Sequence, residues 1–192
     1  MSRMYPDPPC LFPSRDGEAK LRELMLHISE KCADDPSYGA TKLNKILDVA
    51  DQRSYVLYGT PITGVEYLAL DKGPAPRRLL PIKQSMIEAH EIVEEKRVVG
   101  GYVQRRIVPL RKPNLSMLTG QDVAVVDAVI EEMWKKGGAR VSKESHGRRW
   151  RIAHKAGVSI PYAAAFLTNE EVVRPEDKAR AKELADRLSW SR

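Results

Sequence analysis

A chain of 192 residues, 42% hydrophobic and 30% charged, is long enough to bury one substantial core and too apolar to be disordered throughout. No apolar run approaches the roughly 20 residues of a membrane-spanning helix, and Met1–Pro13 lacks the apolar stretch of a signal peptide, so a cytoplasmic chain with no membrane partner is expected. The net charge of +6 favours acidic partners, either nucleic acid or an acidic protein face.

Residues 1–16 read as a flexible leader, because Pro6, Pro8, Pro9 and Pro13 leave little room for regular structure. From Glu18, Leu21, Leu24, Met25 and Ile28 fall on one helical face, and Asp34-Asp35-Pro36 stops that helix. A second helix is predicted from Ala40 to Tyr58, with Leu43, Ile46, Leu47, Ala50 and Leu57 on its apolar stripe and Gly59 as a left-handed cap. Ile62 to Leu70 reads as extended, and Gly73-Pro74-Ala75-Pro76 as a rigid turn.

A third helix is expected to open at Pro81 and to carry Ile82, Met86, Ala89 and Val93. Val98 to Leu110 is expected to fold as a hairpin around Gly100-Gly101, since two glycines supply positive φ without strain. Thr119 and Asp122 form a capping box ahead of Val126, Val129, Ile130 and Met133, with Gly137-Gly138 closing that helix. Short helices follow near Ser142–His146 and Pro161–Leu167. A terminal amphipathic helix begins at Pro175, within residues 171–192, and shows Ala181, Leu184, Ala185 and Leu188. The fold class is α+β: a mostly helical single domain with a small antiparallel hairpin or sheet.

Two stretches are familiar in order and spacing. The first holds Thr41-Lys42-Leu43-Asn44-Lys45-Ile46-Leu47, Ala50-Asp51, Tyr58 to Gly64, Glu66-Tyr67 and Gly73 to Arg78; the second holds Val141-Ser142, Ser145-His146, Trp150, Ile160-Pro161-Tyr162 and Ala165. Together they resemble the Panacea domain of the SocA-like antitoxin family, over residues 17–170. The resemblance implies an antitoxin that neutralises a cognate protein toxin by direct contact, of a kind sometimes found near prophages. The chain departs from the family pattern at Asp48-Val49, where an aromatic pair is usual, and in the basic Gly147-Arg148-Arg149-Trp150.

Candidate partner-binding residues follow from chemistry. Lys42 and Lys45, one turn apart, either belong to a solvated helix face or meet an acidic partner surface. Arg77 and Arg78 leave a rigid turn and can form paired bonds to carboxylates or phosphates. Tyr67 and Trp150 are core side chains or interface anchors, since Tyr, Trp and Arg dominate binding hot spots. Arg105 and Arg106 lie in residues 97–112, which carry +5 with no acid; residues 140–155 carry a further +5.

Those basic runs leave a nucleic-acid reading open, with the hairpin as the wing of a winged-helix regulator. An adaptor that presents its partner to a protease is a further alternative. Catalysis is not expected. Ser145 and His146 are adjacent in sequence and rarely face one another, and no nucleophile elbow or phosphate-binding loop is present. His27, His90 and His154 lie in helical or basic stretches, and Cys10 and Cys32 have no ligand-spaced neighbour, so neither metal nor cofactor is expected.

Overall fold

The computed structural model describes Phe12 and residues 16–167. The remainder of the leader, Cys10 and the terminal helix expected from Pro175 lie outside the described residues. Helix α1 (Gly17–Lys31) leads through a tight corner to α2 (Ala40–Tyr58), followed by strands β1 (Tyr67–Leu70) and β2 (Gly73–Pro76). Then come α3 (Leu79–Glu88), the hairpin of β3 (Ile92–Val99) and β4 (Tyr102–Pro109), and a 3₁₀ turn at Leu115–Met117. The chain continues through α4 (Gly120–Met133), α5 (Gly138–Ser145), α6 (Arg148–Ala156), β5 (Ser159–Ile160) and a 3₁₀ turn at Tyr162–Phe166. This is a mostly helical α+β domain.

Helix α2 is the axis. Its apolar residues Leu43, Ile46, Leu47 and Ala50 meet Leu21, Leu24, Met25 and Ile28 of α1 and Val126, Val129 and Ile130 of α4 in one buried cluster. Its end is set by Gly59, whose φ of 76° is the left-handed cap expected of glycine. Helix α4 opens on the Thr119–Asp122 capping box, with both reciprocal hydrogen bonds present. The small sheet runs in the order β2-β1-β5 and is antiparallel throughout.

Several expectations need correction. Gly73-Pro74-Ala75-Pro76 is not the turn but an edge strand, where a proline's missing N–H costs no ladder bond on the open side. The preceding extended run narrows to Tyr67–Leu70, and Leu57 is exposed because the last turn of α2 leaves the core. Helix α3 opens at Leu79, two residues before Pro81, whose ring is tolerated in a first turn that has free N–H groups anyway. It stops before Ala89 because His90 adopts φ 56°, which sends Val93 into β3. Helix α4 ends at Met133, so Gly137 caps α5 rather than closing α4. Helix α6 was not anticipated; Gly157, at φ 65°, ends it.

The core stripe of α2 sets the first prediction. Ile46→Ala and Leu47→Ala should each lower the unfolding free energy by about 2–5 kcal/mol in chemical denaturation. Unchanged midpoints for both would place this face outside the core.

Candidate protein-binding surface

Alongside its apolar stripe, α2 carries a row of charges at three-residue spacing: Lys42, Lys45, Asp48 and Asp51. All four are at most 1% exposed. Three-residue spacing turns about 60° per step, so the row winds around the helix and meets a different neighbour at each turn. Lys42 donates to Asp35 in the α1–α2 corner at 2.5 Å. Lys45 donates to the Pro74 carbonyl of β2 at 2.6 Å, and burial pulls its ammonium down to about 8. Asp48 accepts both guanidinium N–H groups of Arg149 from α6, one of them at 3.0 Å. Asp51 accepts from the Thr63 amide at 2.7 Å, the Thr63 hydroxyl and the Tyr67 hydroxyl at 2.9 Å.

The partner-facing placement of Lys42 and Lys45 is therefore corrected, as is the solvated-face alternative. Both lysines are buried because the corner and β2 close over them. Tyr67 is likewise fully buried, its hydroxyl committed to Asp51. Arg106 is buried too. It reaches from β4 to the end of α1 and donates to the carbonyls of Cys32, Ala33 and Asp35 at 2.7–3.1 Å, beneath the ring of Tyr38. A guanidinium there satisfies carbonyls that a helix C-terminus leaves open and complements its negative dipole end.

Arg77, Arg78 and Arg105 are about half exposed, but each stands beside a carboxylate: Glu66 at 2.6 Å, Glu18 at 3.0 Å and Glu94 at 3.6 Å. Trp150 is half-buried. Its ring stacks between His146, at 3.8 Å, and His154, at 4.5 Å, and its indole N–H donates to the Leu70 carbonyl. Burial, Lys45 and His154 hold the His146 imidazole below its usual pKa, and its Nε2 is buried without a hydrogen-bond partner. Ser145 directs its hydroxyl to the Ser142 carbonyl at 2.7 Å rather than to that ring.

The basic run 97–112 is largely neutralised in space. Arg97 pairs with Glu95, Arg111 with Glu23 and Glu91, and Lys112 with Glu30. In the second basic run Arg140 pairs with Glu144, and Arg149 is taken by Asp48. The first cationic stripe legible in the sequence is thus largely paired in space, whereas Lys143, Arg151 and Lys155 of the second stay exposed.

Apolar side chains do reach the surface at the hairpin tip, where Val98, Val99, Tyr102 and Val103 are 79%, 45%, 80% and 64% exposed. A second apolar area is a groove of about 330 Å³ lined by Ile152, Ala153, Val158, Pro161 and Leu167, with Arg149 at its edge. Among the described residues, no helix is long and apolar enough to cross a membrane. No group of three or more His, Cys, Asp or Glu side chains there has metal-holding geometry.

Asp51 generates a pH prediction. Burial raises its carboxyl from 3.8 to about 6, its hydrogen-bond donors offsetting part of the rise. A raised folded-state pKa gives stability that is complete below about 4 and lost as pH rises through about 6. Comparing wild type with Asp51→Asn across that window should show the wild type losing on the order of 3 kcal/mol relative to the variant. Parallel stability curves would show that the folded carboxyl titrates normally.

The family model described as antitoxin SocA-like, Panacea domain, matches residues 43–151. That span runs from the first turn of α2 to the first turn of α6 and includes the hairpin. No curated protein and no solved structure matches the chain. It covers more than half of the sequence and contains Lys45, Asp48, Asp51 and Arg149; the chain belongs to the SocA-like antitoxin family of the Panacea domain.

Proposed function

We propose that this chain is an antitoxin that neutralises a cognate protein toxin by stoichiometric binding in the cytoplasm. The observation that carries the reading is membership of the SocA-like family over residues 43–151. Occupying a toxin, or holding it in an inactive shape, needs no bond chemistry, because a partner that binds one state shifts the population towards it. The side-chain geometry supports this. Ser145 bonds away from His146, and the imidazole is stacked against Trp150 rather than poised over a nucleophile.

Arg77, Arg78, Arg105 and Trp150 retain exposed or half-exposed surface and stay in the proposed contact set. Lys42, Lys45, Tyr67 and Arg106 do not, since the fold consumes their polar groups.

Co-expression with the product of the adjacent reading frame tests the reading. Arrest by that product alone, relief by this chain, and co-purification at a fixed ratio are the expected results. Relief without physical association would overturn direct neutralisation. The double variant Ser145→Ala with His146→Ala should relieve arrest as wild type does, at matched levels of folded protein. Loss of relief in a well-folded double variant would call for a chemical role. Arg77→Glu with Arg78→Glu should weaken co-purification while changing the unfolding free energy by only about 1 kcal/mol, as expected for exposed ion pairs. Undiminished co-purification would remove these two arginines from the contact.

A further inference from the structure

We propose that the tip of the β3–β4 hairpin is a wedge that enters an apolar cleft rimmed by carboxylates on the protein partner. The inference rests on the binding function above and names the surface and the chemistry it selects.

The base of the ribbon is fixed to the domain. Ile92 and Ile107 are buried, Arg106 is locked onto the end of α1, Gln104 donates to the Pro36 carbonyl, and Lys83 pairs with Glu94. The outer part is free of such ties. Val98 pairs with Val103 and Val99 with Tyr102 across the two-glycine turn at Gly100-Gly101. Directly paired residues share one face of an antiparallel ribbon, and successive pairs alternate faces. Val98 and Val103 therefore line one face and Val99 and Tyr102 the other. A ribbon resting on a flat partner needs one apolar face; apolar side chains on both suit a cleft with two walls.

The choice of side chains also fits binding. Valine has one stiff torsion and tyrosine few, so little rotamer freedom is lost on docking, and a tyrosine hydroxyl can still find a polar partner inside the cleft. Behind the tip the charge has one sign. Residues 96–105 contain Lys96, Arg97 and Arg105 and no carboxylate. Arg97 and Arg105 are more than half exposed; Arg97 bonds Glu95 at 2.9 Å and Arg105 stands 3.6 Å from Glu94, so both pairs remain open to solvent and to exchange for a partner's carboxylates. Lys96 and Arg105 flank Val98 and Val103, while Arg97 shares the face of Val99 and Tyr102. Each apolar face is thus followed by a cation where the rim of a cleft would lie, which selects carboxylates there. A nucleic-acid groove is disfavoured because Arg106 is buried on carbonyls at the end of α1 and Arg111 and Lys112 are already held by Glu23, Glu91 and Glu30.

The test uses the full chain and the adjacent-frame product whose arrest it relieves. Val98→Ser with Tyr102→Ser should weaken the measured Kd roughly 30-fold or more, as for loss of central anchors. Its melt should remain that of wild type, because both side chains are exposed. Lys96→Glu with Arg97→Glu should slow association and flatten its salt dependence. Leu80→Ser, on the exposed face of α3, serves as the apolar control and should bind as wild type. If wild type binds no such product, the antitoxin reading itself fails. If wild type binds and the tip variant binds equally well, only the wedge is overturned. The wedge is also overturned if the tip variant loses binding to equimolar phosphatidylcholine–phosphatidylserine vesicles while keeping partner affinity. Conversion of a wild-type dimer to a monomer with that affinity intact would overturn it in the same way.

Discussion

The charged row along α2 is the constraint on which the other elements depend. A helix that buries two lysines and two aspartates is tolerable only when each finds a partner, because an isolated buried charge costs several kcal/mol. The partners come from four places: the α1–α2 corner, β2, α6, and the loop and strand around Thr63 and Tyr67. Any arrangement that kept the apolar core but moved one of these elements would strand a charge. The row thereby penalises any packing that leaves one of its members without a partner. Gly73 shows how close the fit is: at φ 92° its Cβ would lie 2.7 Å from the Lys45 ammonium and 2.3 Å from the Ser145 hydroxyl.

The same economy shapes the surface. A chain of net charge +6 would seem to advertise a cationic face. Three arginines of its two basic runs instead hold elements together: Arg106 ties β4 to the end of α1, Arg111 ties the β4 exit to α1 and the α3–β3 turn, and Arg149 ties α6 to α2. Among the described residues, the half-exposed Arg77, Arg78 and Arg105, the exposed Lys96, Lys143, Arg151 and Lys155, and the apolar hairpin tip remain at the surface.

Local signals were legible in the sequence. The Gly59 cap, the Thr119–Asp122 box and the Gly100-Gly101 turn each depend on a few neighbouring residues, and the structure shows all three where the sequence places them. Lys42 and Lys45 were misplaced because their burial is decided by Asp35 and Pro74, which no helical periodicity reports. Helix α6 was hidden by its own charges: only Ala153 is buried within it, so no apolar stripe marks it. One signal was available. The departures from the family pattern at Asp48 and in Gly147-Arg148-Arg149-Trp150 are opposite in charge, and in space Asp48 and Arg149 are ion-pair partners.

The anchors also differ in the length of chain each must close. Lys42 reaches back only 7 residues to Asp35 and Asp51 reaches 16 to Tyr67, whereas Asp48 waits for Arg149, 101 residues later. Closing the longest of these loops costs about 2 kcal/mol more chain entropy than closing the shortest. During synthesis Asp48 leaves the ribosome long before its partner exists, so the first half of the domain carries an uncompensated carboxylate until α6 arrives. Among the described residues, assembly therefore finishes with α6 and the segment after it, where β5 completes the sheet and Tyr162 enters the core. The docking of α6 brings the side chain that neutralises the middle of α2, and its release would expose that charge again.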